Sequence, residues 1–141
     1  MAENIWEQAV ETYLAIDRGL FLNSQYLIGT PGEWEAYPDF LAICFPDKTA
    51  WMVEVTTRAI GLNHKINEFA VYAERIQDQL VRHCVIPVGG GDWKLRFWAF
   101  APERDCEAVR NRFKSAGTQL SLVTPLEVTM NPSLLWERFR Q

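Results

Sequence analysis

Two strand-like stretches constrain this chain more than any other feature. Residues 39–45 (DFLAICF) and 50–57 (AWMVEVTT) are separated only by Pro46-Asp47-Lys48-Thr49. Both stretches are rich in aromatic and β-branched residues and the four residues between them have turn chemistry, so the spacing predicts an antiparallel hairpin. A strand with one face in water alternates apolar with polar side chains, whereas these two are mostly apolar on both faces. The hairpin therefore belongs near the centre of a sheet covered on both sides, and the rest of the chain must supply the cover.

The flanking pattern supplies it. Residues 4–18 carry Ile5, Ala9, Val10, Tyr13 and Ile16 at helical spacing, with Asn4 as the expected cap and Gly19 as the stop. A strand is expected over 21–28. Gly29-Thr30-Pro31-Gly32 then opens an acidic, aromatic loop containing Glu33, Trp34, Glu35 and Tyr37 and ending at Pro38. After Gly61, residues 62–82 place Ile66, Phe69, Ala70, Ala73, Ile76 and Leu80 in one apolar stripe. A short strand over 84–88, a loop at Gly89-Gly90-Gly91-Asp92 and a strand over 94–101 follow. A helix over 102–116 is stopped by Gly117, then come a strand over 118–124 and a short helix capped by Ser133 that includes Trp136 and Phe139. Mixing a hairpin with helical crossovers predicts an α/β fold, a mixed central sheet with helices on both faces.

Composition bounds this reading. The 141 residues are 48% hydrophobic and 13% aromatic, enough for one domain over 1–141 with its own core. No apolar run reaches the roughly 18 residues of a membrane span, and no basic segment precedes an apolar one at the start, so a cytoplasmic protein without a membrane partner is expected. Cys44, Cys84 and Cys106 are odd in number and scattered, which fits reduced thiols better than a disulfide frame or a zinc site. The net charge of -4 is unevenly spread. Residues 1–78 hold 5 Lys/Arg against 12 Asp/Glu, and residues 79–141 hold 9 against 6. The acidic half can gather metal-binding carboxylates and the basic half can face phosphates.

The hairpin also makes a chemical prediction. With Asp47-Lys48 as a two-residue tip, Asp39 lies opposite Thr56, and Asp39 and Glu54 become diagonal neighbours on one face, about 7–8 Å apart. Two carboxylates on a mostly buried sheet repel unless a proton or cation lies between them. Mg2+ or Mn2+ suits such an oxygen-only pair. A slip of one residue would send Asp39 to the other face.

Pro38-Asp39 followed by Glu54-Val55-Thr56 at the end of the next strand resembles the PD-(D/E)xK, or restriction-endonuclease-like, nuclease superfamily. The expected order α-β-β-β-α-β over about 4–101 is similar to that family's core, leaving an α-β-α extension over about 102–141. The resemblance implies a metal held by Asp39, Glu54 and the backbone carbonyl of Val55, with Glu7 or, as fallback, Glu11 completing the set from the first helix. The family's lysine is replaced here by Thr56. Some members carry that lysine on the second helix instead, which nominates Lys65 as its substitute; Arg58 lies closer in sequence but past the strand end.

The implied activity is metal-dependent hydrolysis of DNA phosphodiester bonds, with Lys94, Arg96 and Arg110 expected to contact the nucleic-acid backbone. So small a domain has limited area for reading sequence, so branched or structured DNA, a homodimer or a place in a larger assembly is expected. Two other readings compete. One is a degenerate module of the same fold that binds protein or nucleic acid without cleaving, through Trp34, Tyr37, Trp136 and Phe139. The other is an unrelated α/β interaction domain in which Asp39 and Glu54 never meet. His64 and His83 lack zinc-site spacing, the glycine run is not followed by Lys-Ser/Thr, and there is no G-x-S-x-G element.

Overall fold

A computed structural model describes residues 2–24, 26–30, 34–87, 92–118 and 121–130, without the side chains of residues 2–4, 30, 34 and 36. The chain is mixed α/β. Helix α1 (Ala2–Thr12) runs into a π-helical turn (Tyr13–Asp17), and β1 (Phe21–Ser24), β2 (Ile28–Thr30), β3 (Trp34–Ala36), β4 (Phe40–Cys44) and β5 (Thr49–Val55) follow. Then come α2 (Leu62–Arg82), β6 (Lys94–Ala101), α3 (Cys106–Ser115), β7 (Ser121–Pro125) and a one-turn α4 (Leu126–Thr129). Five strands form a sheet in the order β1-β4-β5-β6-β7, while β2 and β3 make a separate hairpin. The pairs β1–β4 and β4–β5 are antiparallel, and β5–β6 and β6–β7 are parallel. A parallel step needs a long crossover, and α2 and α3 provide the two that are required.

Strand parity divides the core into two layers. Residues 50 and 52 of β5, with Leu41, Ile43, Phe97 and Ala99, meet Leu62, Ile66, Phe69, Val109 and Phe113 of α2 and α3. Residues 51, 53 and 55, with Phe40, Ala42, Trp98 and Phe100, meet Val10 and Leu14 of the first helix and Leu126 of α4. Every residue of β5 is buried. Helices thus cover both faces, as a doubly apolar hairpin demands.

Several local expectations are corrected. The hairpin tip has four residues, not two, because Cys44 pairs with Thr49 and Lys48 N–H donates to the Phe45 carbonyl at 3.1 Å. Pro46 fits the second turn position, and Lys48 absorbs a φ of +50°. The register moves by two, so every side chain keeps its face. The strand expected over 21–28 is two strands in two sheets, and the loop after it forms the hairpin with β3.

No strand forms over the described residues of 84–88. Cys84, at φ +59°, ends α2 instead: Cys84 N–H donates to Val81 O and Val85 N–H to Leu80 O, a Schellman closure. Finally, α1 begins before Asn4, so Asn4 is not its cap, and the helix expected over 102–116 opens with a 3-10 turn (Glu103–Asp105). The expected helix with Ser133, Trp136 and Phe139 lies outside the described residues. No helix among the described residues is long and apolar enough to cross a membrane.

Candidate functional site

Glu54 is the one charged side chain among the buried residues described, at 3% exposure. It sits next to the last residue of β5, on the face turned toward α2. Continuing the β4–β5 register one step beyond Phe40↔Val53 brings Asp39 directly opposite it. Their backbone positions are therefore closer than the diagonal arrangement predicted, at about the 4.5–5.5 Å between Cα atoms of a direct cross-strand pair.

Asp39 also has a structural task. The residue facing Val55 in this register is Pro38, beyond the end of β4, and the Val55 N–H donates to Asp39 Oδ2 at 2.7 Å instead of to a strand carbonyl. The aspartate caps the open end of the ladder while holding its charge beside Glu54.

Lys65 approaches from the first turn of α2, where its Nζ donates to Glu54 Oε2 at 2.8 Å. Its side chain is 47% exposed, against 4% for that of Glu54. Burial, and next the negative charge of Asp39, push the Glu54 carboxyl up to about 8, and Lys65 opposes them only in part. One ammonium does not balance two carboxylates in a dry site, so the pair calls for a further positive charge or a proton.

Glu54 and Lys65 lie at a cleft of about 220 Å³. Met52, Phe69 and Phe97 give it an apolar floor beside Glu54 and Lys65, and Glu35, Tyr37, His64 and Glu68 line its sides. His64 Nε2 is paired with Glu68 one helical turn later. The hairpin that carries Glu35 and leads to Tyr37 is fastened to α2 by Gln79, whose Nε2 donates to Leu27 O at 2.9 Å and whose Oε1 accepts from Gly29 N–H at 2.7 Å. Tyr26 and His83 add a contact of 2.5 Å between hydroxyl and Nδ1.

The structure brings Asp39, Glu54, Val55 and Lys65 together and leaves the other nominated residues elsewhere. Glu7 shares the stripe of Val10 and Leu14, which packs on the opposite face of the sheet. Glu11 is exposed on the same helix. No group of three His, Cys, Asp or Glu side chains placed to hold a metal occurs among the described residues. Thr56, in the family's lysine position, is closed in a turn with Arg58, donating to Arg58 O at 2.7 Å and accepting from Arg58 N–H at 3.0 Å.

Lys94 and Arg96 pair with Thr49 and Trp51, toward the other end of β5 from Glu54. The Arg96 guanidinium lies 4.5 Å from the Trp51 ring centroid, on the face covered by α1, whereas Arg110 is exposed on α3 across the sheet. The three cations therefore do not form one patch, because α3, which carries Arg110, covers the face of the sheet opposite to Arg96.

Glu35, Glu68 and His64 were not nominated as site residues. Glu68 was legible, being three residues after Lys65 on the same side of a helix. Glu35 was not, since only the folded hairpin brings it to the cleft. No family model, curated protein or solved structure matches this chain.

Proposed function

We propose that this chain is a restriction-endonuclease-like domain that hydrolyses phosphodiester bonds in DNA with a bound Mg2+ or Mn2+. One observation carries the reading: Lys65 of α2 reaches Glu54 at 2.8 Å, on the face where Asp39 stands opposite. A glutamate of β5 and a lysine of the following helix thus meet at a cleft, with the aspartate that precedes β4 beside the glutamate, although Thr56 holds the lysine's usual sequence position. The strand order around them supports the same family reading.

The donor set fits a hard divalent cation, since it consists of oxygen atoms and carries more negative than positive charge. Asp39, Glu54 and the Val55 carbonyl would hold the ion, which when bound supplies charge neutralisation at the phosphate and a water of lowered pKa. Lys65 keeps its ammonium at the cleft, where it can orient a water or meet a phosphate oxygen. The apolar floor limits the water that reaches Glu54, and Asp39 fixes the strand end on which Glu54 stands.

A non-cleaving module of the same fold is the second reading. Lys65 already neutralises Glu54 in part without a metal, which favours it. Thermal melting at pH 8 with and without Mn2+, beside nicking of supercoiled plasmid, separates the two. A true site raises the melting temperature, by about 2.7 kcal/mol of added stability at a hundredfold excess over Kd, and wild type nicks while Glu54→Gln and Lys65→Ala do not. Stabilisation without nicking selects the binding module. Neither effect removes the metal site altogether.

A further inference from the structure

The basic half of the chain concentrates charge on α3. Arg110, Arg112 and Lys114 follow one another at alternate positions, and none forms an ion pair among the described residues. Arg110 and Lys114 stand one helical turn apart, where like charges repel. They share one side of a groove of about 340 Å³ between α3 and the edge strand β7, with Thr118, Ser121 and Leu122 opposite. A second groove of about 370 Å³, between α2 and the end of α3, shares Thr118 and Ser121 with it. The two grooves meet around the C-terminus of α3.

At that junction the Ser121 hydroxyl is buried without a hydrogen-bond partner among the described residues, and Arg112 Nε on α3 is likewise buried and unpartnered among them. A buried polar atom left unpaired is costly, and native proteins seldom retain one without a reason. Attraction between cations and the helix C-terminus accounts for basic residues in the last turn. It does not account for an orphaned hydroxyl at the wall of the groove they line.

We infer that this groove binds a phosphate group, with Arg110 and Lys114 supplying charge and Ser121 a hydroxyl donor. The phosphodiester of a nucleic-acid strand is the expected source. That choice of source rests on the nuclease reading, whereas the groove does not. Lys94, expected from the sequence to contact phosphates but lying outside this groove and toward the other end of the sheet from Glu54, serves as the control for diffuse charge.

The test is fluorescence anisotropy of the full chain with a labelled single-stranded oligothymidine, titrated in EDTA so that cleavage and metal binding play no part. Inorganic phosphate is the competing probe. The double variant Arg110→Ala/Lys114→Ala should bind at least about tenfold more weakly at low salt. Its log–log salt slope should be shallower by about 1.4, the release expected for two lost contacts to a single strand. Ser121→Ala should weaken binding severalfold without changing that slope, and Lys94→Ala should do neither.

Failure of the wild type to bind either the oligonucleotide or inorganic phosphate, or an equal loss in Lys94→Ala and the double variant, overturns the site. So does a double variant that binds as tightly as wild type. Inorganic phosphate bound with the same sensitivity but no oligonucleotide bound keeps the phosphate site and discards the strand. A chain that binds in EDTA yet neither nicks plasmid nor gains stability with Mn2+ loses the nuclease reading and keeps this one.

Discussion

The two faces of β5 show what burial is for in this protein. Trp51, Val53 and Val55 look toward α1 into an apolar and aromatic layer, where Trp98 and Phe100 stack and the Arg96 and Arg18 guanidinium groups lie over the Trp51 and Trp98 rings. Ala50 and Met52 look the other way into a similar layer, but Glu54, next in that row, breaks it with a carboxylate beside a second carboxylate. Burial stabilises the first face. On the second it raises the free energy of an ionised group and opposes folding, for which a core has no use and a binding site does.

Four perturbations bear on this comparison, the largest first. Trp98→Ala, on the face toward α1, should cost about 3–5 kcal/mol in urea denaturation, because Trp98 is 1% exposed, donates to Thr124 Oγ1 at 2.9 Å, and its removal leaves a cavity. A loss well under 2 kcal/mol would mean that this face is loosely packed and that the contrast is overstated.

Next comes the pH response of metal-free protein. Glu54 holds its proton up to about 8 when folded and releases it near 4.5 when unfolded. Between those values the folded state binds the extra proton. Its contribution is fully present below about pH 4.5 and is lost as pH rises through 8, a change of a few kcal/mol. Glu54→Gln should flatten that dependence while retaining a group that can accept from Lys65. Equal slopes for wild type and variant would show that Glu54 titrates normally.

A smaller effect is expected at Gln79, 7% exposed, which uses both ends of its amide to hold the hairpin that walls the cleft. Gln79→Ala leaves Leu27 O and Gly29 N–H without that partner and should cost about 1–3 kcal/mol. Faster amide exchange should appear in β2 and β3 but not in β5. Exchange accelerated evenly across both sheets would contradict the idea of a separately fastened hairpin.

The smallest change concerns the two helix ends that turn the chain back toward the sheet. Gly117 closes α3 at φ +77° and Cys84 closes α2 at φ +59° with equivalent hydrogen bonds. Cys84→Gly should therefore stabilise by up to about 1 kcal/mol, read as a rise in melting temperature. No gain would show that the cysteine side chain contributes packing that offsets its backbone strain.

Much of this was legible before folding was considered. The doubly apolar hairpin, the long stripe from Ile66 to Leu80 and the stop at Gly117 are local patterns, and each specified its element. The run Cys84-Val85-Ile86 misled because a short apolar stretch reads equally as a strand and as the hydrophobic tail of a helix cap. Glu54 stood out because a carboxylate inside an apolar strand has few cheap explanations. Glu7 did not join it, since helical spacing places a residue on a stripe but does not say which face of the sheet that stripe will cover.

By itself, then, the amino-acid order determined which segments become strands and helices and that one strand carries a carboxylate into the interior. Only the tertiary structure decided the company of that carboxylate. The four-residue turn set Asp39 opposite it, the crossover brought Lys65 back over it, and a hairpin fastened by Gln79 added Glu35 and Tyr37. The physical reason lies in the range of the forces. Propensity and periodicity act over a few neighbouring residues, whereas register, crossover and docking are settled by which apolar surfaces can be buried together once the whole chain has closed on itself.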